Sequence, residues 1–155
     1  MGLFDFLKPK TSDVSLDRTL KKDDFTDAGV CYYESNIKKL ATVRSDWKKS
    51  CKTLIKEDKA GKKIFKNDYI NKPVKLIPDP TNKHDKNAVQ VVIAGELVGY
   101  IPSEQTKHVK DILSKREIKY ISAFISGGEY KVISLNEDIF KDSYSTKVKI
   151  TIAYI

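Results

Sequence analysis

Cysteine and histidine are scarce in this chain, whose 155 residues hold two of each. Cys31 and Cys51 lie far apart in no metal-like spacing, which excludes a secreted-type disulfide framework and reads as free thiols in a reducing, cytoplasmic setting. His84 and His108 could bind zinc only with carboxylates filling the other places, and no spacing fixes one histidine against the other. Neither cysteine has a histidine and an orienting acid placed to activate it, so thiol catalysis lacks its parts. Glycine is thin as well, at seven. The nearest approach to a phosphate-cradling loop, "AGKK" at 60–63, lacks both the first glycine and the trailing Ser or Thr, which excludes a P-loop hydrolase. No apolar run approaches the roughly 20 residues that cross a bilayer, and nothing resembles a secretory signal. Carboxylates are not gathered for metal-dependent nuclease chemistry. "PDP" at 78–80 is followed by an acid-free "NAVQVVI", and Glu96 beyond it has no lysine two residues on. The chain is expected to be non-catalytic, with no cofactor and no metal.

Positive charge, by contrast, is abundant and local. Hydrophobic residues make up 40%, aromatics 10% and charged residues 32%, an ordinary soluble composition able to bury one core. The formal charge of +8 equals the balance of the segment from Lys38 to Lys72 taken alone, so the positive field has one source in sequence. A polyanion is the natural partner, an acidic membrane surface the second, and a merely solubilising surface the plain alternative.

Along the chain, "MGLFDFL" is a short amphipathic piece that can dock, touch a membrane or hold a partner. Phe6 stands where a myristoylation signal wants Ser or Thr. "TSDVSLDRTLKKDDF" reads as a linker, so that residues 1–25 form a segment and linker ahead of a domain at 26–155. "AGVCYYE" carries β-formers and predicts a strand. Ser35 or Asn36 can cap a helix bearing Ile37, Leu40, Trp47, Cys51 and Leu54, in two pieces broken near 42–45. At about 100° per residue, Lys48, Lys52, Lys56 and Lys59 fall on one arc, a lysine ridge opposite that stripe, with Gly61 closing the helix. "KPVKLIP" predicts a strand, and "NAVQVVI" and "ELVGYIP" a tight hairpin across Ala94 and Gly95. "SEQTKHVKDILSK" predicts a helix with Val109, Ile112 and Leu113 inside and His108 outside. "IKYISAFI" and "EYKVISL" predict a second hairpin turning at "SGG", and residues 146–154 alternate as a last strand. Six or seven short strands with two helices give a small, curved, mostly antiparallel sheet or barrel.

The residues with recognition chemistry sit at strand edges: Tyr32 and Tyr33, then His84, Asp85 and Asn87, then Tyr100, then Tyr130. Rings beside a basic ridge make a platform for single-stranded nucleic acid, with bases on the rings and lysines along the phosphates. The competing reading is that these rings belong to the core and that Asp85 and Asn87 only build their loop.

"GVCYYESNIKKL", "PDPTNKHDKNAVQVV" and "LVGYIP" together resemble the HIRAN domain, a module found at the N-terminus of certain Swi/Snf-type DNA-repair helicases and as a stand-alone protein in bacteria and phages. The resemblance lies in Asp85, Asn87, Ala88 and the run Val98-Gly99-Tyr100-Ile101-Pro102, and it covers about 27–135. It implies a mostly β, α+β fold: a small OB-like antiparallel β-barrel with two added helices, here with a lysine-rich helical insertion at about 45–71. It also implies capture of a single-stranded DNA 3′ end. Tyr32 would then stack on a base and Asp85 accept from the 3′-hydroxyl, while Tyr100 and Tyr130 line the pocket. His84 replaces the tyrosine usual before that aspartate, and Cys31 stands where the DNA-binding member has an arginine. Lys48, Lys52, Lys56 and Lys59 would track phosphates. The expected partner is single-stranded DNA, with a helicase, nuclease or replication protein acting on the captured end and no stable membrane insertion. The other expectation is a protein-interaction adaptor working through this fold and the amphipathic N-terminus.

Overall fold

The structure is a computed structural model that describes residues 19–26, 30–69 and 72–155. The amphipathic opening segment and the Cys31 side chain lie outside the described residues. Nine strands are described: β1 (Lys21–Thr26), β2 (Thr42–Val43), β3 (Ile64–Phe65), β4 (Asn67–Asp68), β5 (Val74–Pro78), β6 (Val89–Ile93), β7 (Glu96–Tyr100), β8 (Ile118–Ile133) and β9 (Ile139–Tyr154). Between them lie helices α1 (Glu34–Leu40), α2 (Ser45–Lys48), α3 (Cys51–Lys56) and α4 (Thr106–Lys115). No helix among the described residues is long and apolar enough to cross a membrane.

Every strand pairing is antiparallel. The large sheet runs β1-β9-β8-β3, a second runs β5-β6-β7, and β2 pairs with β4. The fold is thus mostly β with helices. β1 and β3 remain edges of one sheet and β5 and β7 of another, so the strand pairing among the described residues does not close the expected barrel. The first helix expected from the periodicity is three short ones, α1, α2 and α3.

Alternation places the main core. Val89, Val91 and Ile93 of β6 point inward with Val148, Ile150 and Ile152 of β9, while Lys147 and Lys149 face water. Val109 and Ile112 of α4 and Ile37 and Leu40 of α1 close over them. The β6–β7 reversal uses Ala94 (φ 48°) and Gly95 (φ 82°), the left-handed pair that a two-residue hairpin requires. β1, whose residues read as the end of a linker, is an edge strand paired to β9. It is held by Asp23, which accepts from the Tyr154 hydroxyl at 2.8 Å and meets His108 Nε2 at 2.9 Å.

A second, smaller core lies under the lysine-rich insertion. Leu54, Ile64 and Ile133 are buried there, with Trp47, Cys51, Ile55 and Ala60 packed against them. Lys131 is buried and donates from Nζ to the Trp47 carbonyl at 2.9 Å, with its ammonium 4.9 Å from the centre of the indole. The ridge expected along one helix is broken here. Lys49 is extended, and Ser50 caps α3 by accepting from the Thr53 amide through Oγ at 3.2 Å, so a new helix starts with a new direction. Helix α3 ends at Asp58 (φ 61°), where the Lys59 amide donates to the Leu54 carbonyl at 2.9 Å and the Asp58 amide to Ile55 at 3.0 Å. Asp58, and not Gly61, therefore supplies the left-handed residue that closes the helix.

Two more expectations change. Val30–Tyr33 is a 3-10 turn leading into α1, not a strand. The "SGG" stretch is not a turn: β8 continues through it, and Ser145 and Thr146 of β9 oppose Gly127, forming a bulge. The chain reverses later, at Ser134–Asp138, where Ser134 Oγ accepts from the Asn136 and Asp138 amides at 3.2 and 3.1 Å and Glu137 takes φ 66°.

Gly127 (φ +90°) has no room for a side chain, since a Cβ there would lie 2.2 Å from the Ser145 carbonyl oxygen, whereas Gly128 (φ +84°) has open space. Gly127→Ala is expected to destabilise by more than about 3 kcal/mol and Gly128→Ala by about 1–2 kcal/mol in denaturant titrations. Equal losses would contradict the tight bulge. The insertion has its own acid signature. Hydrogen bonds from Lys59 and Lys49 hold Asp46 below its ordinary 3.8, and Lys49 holds Glu57 below 4.5. Their contribution is complete above those ordinary values and is lost as pH falls through the lower folded-state values. Fluorescence of Trp47, the one tryptophan, should stay level down to about pH 4.5 and change below it, with Asp46→Asn moving that change to higher pH.

Candidate nucleic-acid interface

The loop joining β5 to β6 is organised by one carboxylate. Asp79 lies between Pro78 and Pro80, whose fixed backbone angles set it at the loop entrance. Its amide donates to the Ala88 carbonyl at 2.8 Å, closing the loop base. Its side chain accepts from Thr81 at 3.2 Å, Asn82 at 3.4 Å, Gln90 at 3.3 Å and the Tyr100 hydroxyl at 3.5 Å. Asn82 then accepts from the amides of His84 and Asp85 at 2.9 and 3.0 Å, and Asp85 Oδ1 accepts from the Asn87 amide at 2.8 Å. These are the local side-chain-to-backbone bonds that Asx residues favour. Asp85 is half-buried and His84 exposed at the loop surface.

Rings gather on the same side. Tyr100, on β7 opposite Gln90, packs at 6.1 Å from Tyr33 with the planes tilted by 51°. Burial, and then the neighbouring Tyr100, raises the Tyr33 phenol above its ordinary value. Asn36 fastens α1 to this hairpin by donating to the Leu97 carbonyl at 2.9 Å. Tyr32, one residue before Tyr33, is 83% exposed, a large apolar area left in water beside a packed ring pair. Tyr100, Tyr33 and the 79–88 loop are therefore one assembly, with His84 and Asp85 in its loop and Tyr32 at its flank.

The other sequence-predicted residues go elsewhere. Tyr130 is buried in a separate group, stacked on Tyr144 at 5.0 Å and tilted against Phe65 at 5.6 Å. Lys48, Lys52 and Lys56 are exposed on α2 and α3. Lys59 is held by Asp46 at 2.6 Å and Glu57 at 3.4 Å, so it is not a ligand-ready cation like its neighbours. In the sequence alone Asp79 reads only as a candidate nuclease acid, and Gln90 carries no signal. A carboxylate bracketed by prolines at the mouth of a polar loop was the available signal for the hub. Phe65, Tyr144 and Lys63, which surround Tyr130, gave no signal, because strand pairing alone brings them together.

No curated protein and no solved structure matches this chain. A family model of the HIRAN domain matches residues 22–143, from β1 into β9. That span takes in the Asp79 loop, the Tyr33–Tyr100 ring pair and the β6–β7 hairpin, and the chain belongs to the HIRAN domain family, a nucleic-acid-binding family.

Proposed function

We propose that this protein is a non-catalytic module that binds single-stranded DNA and captures a free 3′-hydroxyl end at Tyr32, Asp85 and Tyr100. The carrying observation is the Tyr33–Tyr100 ring pair, joined through the Tyr100 hydroxyl to the Asp79 hub of a loop that contains a second carboxylate, with the exposed Tyr32 next to Tyr33 in sequence. A base stacks on Tyr32, because every base offers a π-face. Asp85 accepts from the terminal hydroxyl: its carboxylate has about four lone-pair sites, and the Asn87 amide occupies one at 2.8 Å. The same charge repels a terminal phosphate, so an end is told from an interior by electrostatics. His84 supplies a further ring at the loop surface, and Lys48, Lys52 and Lys56 supply positive potential that draws the strand in. Captured in this way, an end is presented to a helicase, nuclease or replication protein.

Matched oligonucleotides ending in 3′-hydroxyl or 3′-phosphate, compared by fluorescence anisotropy, test this. The wild type should prefer the hydroxyl by about tenfold or more, some 1.4 kcal/mol. Asp85→Asn should bring the ratio close to one, and Tyr32→Ala should weaken both ligands by about 1–3 kcal/mol. Equal affinity of the wild type for the two ends would overturn end capture.

A further inference from the structure

The group around Tyr130 is not part of the assembly at Asp79, yet it has the composition of a ligand surface. Residues two apart on a strand share a face, so Phe124, Ser126, Gly128 and Tyr130 of β8 line one side. Directly opposed residues share a face too, which puts Lys149 beside Phe124, Lys147 beside Ser126 and Tyr144 beside Gly128. β3 adds Phe65 across from Tyr130. Phe124 is 64% exposed and Tyr144 48% exposed, while Phe65 is half-buried and stacked on Tyr144 at 6.4 Å. Between the Phe124 and Tyr144 rings the floor is low, formed by the small Ser126 and by Gly127, with Lys147 across from Ser126. Two clefts of about 310 and 330 Å³ meet there, sharing Phe65, Ser126 and Gly127.

Cations rim this floor. Lys63 lies 4.7 Å over the Tyr144 ring and hydrogen-bonds its hydroxyl. Lys147 lines one cleft and Arg44 the other. The carboxylates nearby are engaged. Asp68 pairs with Arg44 at 3.6 Å, Asp24 accepts from Thr151 at 2.6 Å, and Asp142 accepts from the Ser143 amide at 2.8 Å. Neither Lys63 nor Lys147 has a carboxylate within ion-pair distance among the described residues.

We propose that this outer face of the β8–β9 ribbon is a second binding surface, which takes the interior of a single-stranded nucleic acid. Bases stack on Phe124 and on the Phe65–Tyr144 pair, and phosphates pass along Lys63 and Lys147. Exposed rings beside ammonium groups that have no carboxylate partner, over a floor of Ser126 and Gly127, fit a polyanion whose bases present flat apolar faces. The surface needs no strand end, and so it stands or falls apart from end capture.

A covalently closed circular oligothymidylate, which has no end, isolates it. The wild type should bind the circle, and the double variant Phe124→Ala, Lys147→Glu should bind it at least about tenfold more weakly. The log-log salt slope should also become shallower by about 0.7 for the lost lysine contact. Both positions are exposed, so unchanged Trp47 emission and melting temperature will show that the variant is folded. Failure of the wild type to bind the circle at low salt, or equal binding by the variant, would overturn the proposal. So would a variant that alters only the sedimentation of the protein, which would make this face a contact between copies of the chain.

Discussion

The pairing of β8 with β9 is the constraint on which the rest of the structure depends. Two sixteen-residue strands run antiparallel from Ile118 against Tyr154 to Ile133 against Ile139. One half contributes Ile121, Ala123 and Ile125 with Val148, Ile150 and Ile152 to the main core. The other half contributes Ile133 to the small core under the insertion and Tyr130 and Tyr144 to the ring group. At the junction sits Gly127, the point where the backbones approach too closely for any side chain. A bulge raises local twist and bends the strand that carries it. The ribbon can thereby serve two cores that a flat strand pair would not reach.

That division separates two kinds of recognition chemistry. At the β5–β6–β7 sheet a single carboxylate, Asp79, gathers a threonine and an amide of the loop, an amide of β6 and a phenol of β7, so the loop bearing His84 and Asp85 is built by hydrogen bonds and not by burial. Such a loop holds polar groups at a fixed place while leaving them wet. At the far half of the ribbon the groups that face water are instead rings and lysines. The lysine-rich insertion does not form a continuous ridge. Asp46 and Glu57 neutralise Lys49 and Lys59, tying α2 to α3, while Lys131 is drawn inward beneath Trp47. Part of the charge that dominates the sequence is thus spent inside the insertion, and Lys66 ties it to the ribbon by pairing with Glu129 at 3.2 Å.

Much of this was legible in the sequence wherever side-chain period and burial agree. Val148, Ile150 and Ile152 alternate with lysines and are buried; Val109 and Ile112 face the core from α4 with His108 outside; Ala94 and Gly95 turn as a two-residue hairpin requires. The failures have physical causes. Val30–Tyr33 is rich in β-formers, yet it has no strand partner and winds directly into α1. Two adjacent glycines looked like a turn, but positive φ serves a bulge equally well, and the real reversal uses Glu137 with a serine cap in place of glycine. The lysine ridge assumed one unbroken helix, and Ser50 restarts it. Of the candidate site, Tyr100, His84 and Asp85 stand in a local sequence pattern, whereas the neighbours of Tyr130, Phe65 and Tyr144, reach it only through long-range pairing that no local pattern reports.

Amide chemical-shift mapping with a short single-stranded oligonucleotide bearing a 3′-hydroxyl tests the central claim most directly, since it asks where on the fold an end is held. The account predicts that the largest shifts at low ligand ratio fall on Tyr32, Tyr33, His84, Asp85, Gln90 and Tyr100. Shifts confined to the exposed lysines of α2 and α3, with the Asp79 loop silent, would contradict it.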